Sequence, residues 1–192
     1  PSVGQAIILF APWRAIFAFL AVYALVMIVW TGLRLPETLP PEKRRSASPR
    51  EVLLTFAHVV RTRQTLGYAL AGGLMFGAVF GFLNSAQQVF VDIYDLGAVF
   101  PLAFAAVALA MSMSSFINAR LVGRLGMRKI SHAAVTAFVV LSALIVAIAA
   151  AGYLVFPVFI ALLAAVMFLL GMIFSNFNAL ALEPQGHAAG SA

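Results

Sequence analysis

Charged residues divide this chain into long runs that contain none. Nineteen uncharged residues separate Arg14 from Arg34, 28 separate Arg63 from Asp92, and 24 separate Asp95 from Arg120. A further 53 lie between Lys129 and Glu183, interrupted only by His132. With a helical rise of about 1.5 Å per residue, the first run is about 28 Å long, close to the hydrocarbon thickness of a bilayer. The longest run exceeds one crossing and must fold back. Its natural break is Ala151-Gly152-Tyr153 to Pro157, because Gly and Pro punctuate helices. The pattern therefore predicts five spans, at about 15–33, 66–88, 97–119, 131–151 and 154–178. The opening stretch, Val3 to Ala11, is apolar but too short to cross, and reads as the tail of a further span beyond a cut end.

Backbone groups in lipid must be satisfied internally, which leaves helices or closed barrels. Barrel strands alternate apolar and polar residues in segments of about ten. These runs are continuous and longer, so the expected fold class is an all-α integral membrane protein.

Composition agrees. The chain is 64% hydrophobic and 9% charged, with a mean hydropathy of +1.05, whereas soluble domains are about half apolar and a quarter charged. The net charge of +6 does not call for nucleic acid, because its distribution has another explanation. Eleven of the twelve basic residues fall in two connections, 34–63 and 120–129. Those connections are two spans apart, hence on one side, and the positive-inside rule makes that side cytoplasmic. The chain is therefore expected to cross its membrane several times. There are no cysteines, which excludes disulfides and thiolate metal sites. No signal peptide is recognisable.

The chain divides into 1–33, a basic linker over 34–64, and four spans with the start of another over 65–192. The linker carries Pro36, Pro40, Pro41 and Pro49 and the run Glu42-Lys43-Arg44-Arg45. Its first part should be extended and solvated. Its second part has Val52, Leu53, Phe56, Val59 and Val60 at helical spacing, flanked by Arg50, Arg61 and Arg63. That pattern predicts a short amphipathic helix on the inner membrane surface; the other reading is a plain extension of the next span.

No span interior contains Asp, Glu, Lys or Arg, so none offers the intramembrane charge that usually marks an ion or proton site. Nothing in the sequence suggests a catalytic triad, a metal site or a cofactor, and the chain reads as a non-enzyme. His58, His132 and His187 fall near cytoplasmic ends and read as interfacial. The second span is the richest in candidates. Tyr68, Phe76, Phe80, Asn84 and Gln87 recur at helical spacing among its glycines. Amides do not face lipid cheaply, so they should point into a bundle or a cavity. An aromatic cavity with a few amides suits apolar or cationic organic ligands. The competing reading is ordinary helix–helix contact.

Four stretches resemble a known family: PSVGQAIILFAPWRAIF, RLPETLPPEKR, NARLVGRLGMRK and EPQGHAAGSA. In order and spacing they are similar to the middle and second half of a major facilitator superfamily transporter, of the bicyclomycin-resistance drug:proton antiporter type. In the superfamily's basic loop signature, Arg124, Gly126 and Arg128 match; Ala119 stands where the first Gly would be and Gly123 where the Asp would be. The resemblance implies a partial helix bundle holding helices six to ten, with the ends of five and eleven. It implies the bacterial inner (plasma) membrane as location, the missing N-terminal half as partner, a small amphipathic drug-like substrate, and protons as the coupling ion. On it, Tyr68, Phe76, Phe80, Asn84 and Gln87 would line the substrate cavity, and Asn118, Arg120, Arg124, Gly126 and Arg128 would form a gating loop at the cytoplasmic face. The rival expectations are an exporter of sugars or metabolites, or a non-transporting membrane fragment or scaffold.

Overall fold

A computed structural model describes residues 2–36 and 48–185. They form two compact units that divide after Glu51. The N-terminal unit contains α1 (Ser2–Ile8) and α2 (Arg14–Arg34). The apolar opening stretch is thus helical, and it packs on α2, with Gly4 beside the Ile16 side chain. The Arg14 guanidinium lies 4.7 Å from the centre of the Trp13 ring, a cation–π arrangement. α2 has no buried residue.

The C-terminal unit begins within α3 (Pro49–Arg61) and continues as α4 (Arg63–Gln87), which runs on through a wider π-type turn to Ile93. A short 3-10 turn at Gly97–Val99 leads into α5 (Phe100–Leu125). α6 (Met127–Ala150) and α7 (Phe156–Leu182) follow, and Glu183–Gln185 closes the described chain with another 3-10 turn. Among the described residues, five helices are long and apolar enough to cross a membrane, at the five places the charge pattern marks. No strand occurs among the described residues.

Helix ends depart from the sequence boundaries for one reason. A charge ends the part of a helix that lipid can cover, not the helix itself. α5 runs through Arg120 and Arg124 because Arg is a good helix former. It stops at Gly126, whose φ of 79° lies where a side chain would be strained. α4 likewise begins at Arg63, after Thr62 takes an extended conformation with ψ 102°. That break separates α3 from α4, so residues 49–61 form a helix of their own rather than a continuation of the span. Most of the proline-rich part of the linker and the whole run from Glu42 to Arg45 lie outside the described residues, as does His187.

α7 is the hub of this unit. It packs along α4, α5 and α6, while those three approach one another only slightly. Its buried residues run from Leu163 to Leu180 and point in every direction, as expected of a helix that is apolar all round. Lipid tails are as apolar as Leu, so close van der Waals fit holds such helices together. The closest approach is at Gly171: a Cβ there would overlap the Ser114 hydroxyl and come 2.7 Å from the Met111 carbonyl oxygen. Two clusters flank this crossing. One gathers Ala86, Phe90, Val107 and Leu170 with a belt of aromatics; the other gathers Ile130, Ala134, Ile173 and Phe177.

Candidate functional site

The face of α4, α7 and α5 that turns away from α6 is the candidate site. On α7, Gly171 points to α5, and Phe174 points to α4, where its ring lies 4.4 Å from that of Phe76. Advancing about 100° per residue puts Asn178 between those two directions and Ser175 just beyond Gly171. Both are exposed. α4 contributes Phe76 and Phe80, which are 51% and 59% exposed, and the exposed amides Asn84 and Gln87. Asn84 donates one N–H to the Phe80 carbonyl at 2.8 Å, leaving its amide oxygen and second N–H for other partners. α5 adds Ser112 and Ser115 on its flank away from α6, both exposed. The Ser112 and Ser175 hydroxyls donate to carbonyls of their own helices at 3.0 and 2.9 Å. Their oxygens keep acceptor capacity.

One end of this face is shut. Phe82 stacks on Phe104 at 5.8 Å between α4 and α5. Phe90, wholly buried, touches Phe100, Phe156 and Phe159 at 5.7 to 6.4 Å. The Tyr94 hydroxyl donates to the Leu154 carbonyl at 2.8 Å, tying the end of α4 to the α6–α7 turn. This is the end away from the basic connections. Toward the basic end no such rings bridge α4 and α5 among the described residues, and Ser175 and Asn178 lie uncovered. The result is a charge-free face with Phe76 and Phe174 at its centre, Ser175 and Asn178 toward the basic end, and Asn84 and Gln87 toward the shut end.

Tyr68 leaves this group. Residues four apart drift by about 40° per step, so a row from Tyr68 to Asn84 turns through about 160°. Tyr68 packs on Phe177, ring centres 5.2 Å apart, and lines a groove between α4 and α6 with His132, Val135 and Thr136. It is on the opposite flank of α4 from Asn84.

The predicted gating residues also separate. Asn118 is buried inside α5, paired with Asn176 of α7. Each amide nitrogen donates to the other's oxygen, at 3.1 and 2.8 Å. Two amides inside spans are affordable when they satisfy each other, a signal available in the sequence that the grouping by loop overlooked. Replacing Asn176 by Leu should cost about 1–2 kcal/mol, because Asn118 keeps its desolvation without its partner. The double Leu replacement should cost no more than either single one. Unfolding in a denaturing detergent series measures this cycle, and purely additive losses would count against mutual satisfaction.

Arg128, at the start of α6, is the loop residue with a specific environment. Its Nη2 donates to the Gln64 side-chain oxygen at 3.2 Å and lies 3.5 Å from the Glu183 carboxylate. Gln64 in turn donates to the Leu180 carbonyl and to Glu183, both at 2.9 Å. Beneath it the Thr65 hydroxyl donates to the Ala181 carbonyl at 2.8 Å and accepts from Gln185 at 3.2 Å. These bonds clasp the start of α4, the start of α6 and the end of α7. Arg128 and Glu183 are both more than half exposed, so their charge pair is a weak contributor, and the shielded bonds of the clasp are those of the buried Thr65 and Gln185. Arg120 and Arg124 are exposed on α5, and Gly126 makes the α5–α6 break. Sequence reasoning missed Gln64, Thr65 and Gln185. Glu183 carried a readable signal, being the one acidic residue after Asp95.

The family model of the Major Facilitator Superfamily matches residues 1–192. The chain belongs to the Major Facilitator Superfamily. It is 33% identical, over its whole length, to the uncharacterized MFS-type transporter YdgK of Bacillus subtilis, of which it covers 48%. It is 28% identical over 66% of its length to a bicyclomycin resistance protein homolog of Haemophilus influenzae, of which the match covers 32%. The chain thus spans about half the length of the first of these relatives, and its match to the second covers about a third of that protein. No solved structure matches it. As a Major Facilitator Superfamily chain it is a multi-pass membrane protein of a transporter family, not an enzyme.

Proposed function

We propose that this chain supplies one cavity-lining wall of a proton-coupled exporter of small amphipathic compounds. The supporting observation is the charge-free face: Phe76 against Phe174, with Ser175 and Asn178 exposed toward one end and Asn84 and Gln87 toward the other. Aromatic faces accept apolar rings and organic cations, and a few amides orient them. A face without a cation favours neutral or cationic substrates over anionic ones. The kinship with a bicyclomycin resistance protein homolog favours the same substrate class. On this reading the protein works in the bacterial inner membrane, the partner half of the transporter carries the proton-coupling acid, and the two halves rock to expose this face to each side in turn. Arg120, Arg124 and Arg128 would hold the inner face in place during that motion.

The test uses the complete transporter. Asn84→Ala and Gln87→Ala should each shift resistance to at least one compound by about fivefold, the size expected for one lost hydrogen bond of about 1 kcal/mol. Tyr68→Ala should leave the ranking of compounds unchanged, because Tyr68 faces the other groove. Resistance that stays the same for every compound tested, at equal expression, removes the two amides from the site.

A further inference from the structure

Among the described residues, α3 carries an apolar face that nothing covers. Val52, Leu53, Phe56 and Val60 are 55%, 67%, 61% and 40% exposed. In a helix these four fall within an arc of about 100°, and Arg61 lies outside it, toward the polar side with His58 and Thr55. Leu54 sits on that polar side too. The position of α3 relative to the bilayer follows from the chain. Only Thr62 separates it from α4, which begins at Arg63 and is a membrane span. The helix is 13 residues long, about 20 Å, so all of it lies within that distance of the membrane surface. It also lies on the basic side. Connection 34–63 has seven basic and three acidic residues, a surplus that an anionic surface would attract.

We propose that α3 seats on the inner leaflet as a strap, with Val52, Leu53, Phe56 and Val60 in the acyl boundary and Arg61 and Arg63 on anionic phospholipid headgroups. The occupant of the apolar face is lipid, and the charge surplus selects an anionic lipid over a neutral one. The strap also acts on the helix it precedes. Thr62 hands directly on to Gln64 and Thr65, the α4 members of the clasp with Glu183 and Gln185. Seating α3 therefore limits the depth of the α4 start, one residue away, and lipid composition becomes an input to the clasp. This inference does not depend on what the candidate site carries.

The absence of native cysteine makes the test direct. Single cysteines at Phe56 and at Leu54, about 160° apart on the helix, would carry a nitroxide in the full chain. The chain would be placed in vesicles of phosphatidylcholine with and without phosphatidylglycerol. With phosphatidylglycerol, the Phe56 label should be reached by oxygen and shielded from a water-soluble nickel chelate, and the Leu54 label should show the reverse. Arg61→Gln and Arg63→Gln should each lower the seated-to-unseated ratio about fivefold. Three outcomes overturn the proposal. A Phe56 label open to nickel in both vesicles means the face stays in water. A label shielded from both oxygen and nickel means protein covers it. Equal seating in neutral vesicles, unchanged by the arginine variants, removes the anionic headgroup.

Discussion

Alanine at position 171 should lower the stability of the bundle by about 1–3 kcal/mol, and by more if α5 does not yield. The added methyl would meet the Ser114 hydroxyl and the Met111 carbonyl oxygen. The hydroxyl belongs to a short side chain that is itself wholly buried and donates to that same carbonyl at 2.6 Å. The carbonyl is backbone and does not swing away. Relief then requires α5 and α7 to part, which loosens every contact along the hub. Ser114→Gly in the Gly171→Ala background should recover part of the loss, because it removes the hydroxyl and leaves the carbonyl. Gly73→Ala is the matched control. Nothing lies within 4 Å of the position its Cβ would take, and alanine is the better helix former by about 1 kcal/mol. Unfolding midpoints in a denaturing detergent series measure all three. A Gly171→Ala protein as stable as the parent would mean that α5 and α7 do not cross this closely.

Phe90→Ala should cost about 3–5 kcal/mol, the range for deleting a buried aromatic ring. Phe90 is 0% exposed and contacts rings from α4, α5 and α7, so its removal leaves a cavity bordered by three helices that cannot all collapse inward. The loss should appear as a lower unfolding midpoint. Labels placed near Phe82 and Phe104 should also move apart, since their contact depends on the same belt. Phe90→Leu should retain most of the stability, because it fills much of the volume. If Phe90→Ala and Phe80→Ala destabilise equally, the belt is not a core, because Phe80 is largely exposed.

The spans were legible because lipid imposes a strict rule: every charge outside, every backbone group bonded within. Arg14, Arg34, Arg63 and Lys129 mark helix limits to within two residues. Arg120 does not, because solvent tolerates a helix that lipid no longer covers. The arrangement of the candidate residues on α4 was partly legible. Phe76, Phe80, Asn84 and Gln87 share a flank of α4, as their spacing suggests. Tyr68 does not, because a step of four overshoots a turn and the error accumulates. The pairing of Asn118 with Asn176 and the clasp through Gln64, Thr65 and Gln185 were not legible. They join residues 58 to 120 positions apart, and only the packing of α7 brings them together.

The placement of the hub has a consequence for synthesis. α7 is the last long helix of the described chain, and α4, α5 and α6 barely touch without it. As the chain leaves the ribosome, three apolar helices enter the bilayer before the element that joins them exists. At about 5–20 residues per second, a 27-residue helix takes a few seconds to emerge. Through that interval Asn118 has no Asn176, the groove over Gly171 has no Gly171, and the α4 start has no Glu183. Assembly is therefore not stepwise zipping from the amino end. The joining of α4, α5 and α6 waits for one late arrival, and a chain interrupted before residue 156 would leave those three helices without the element that joins them.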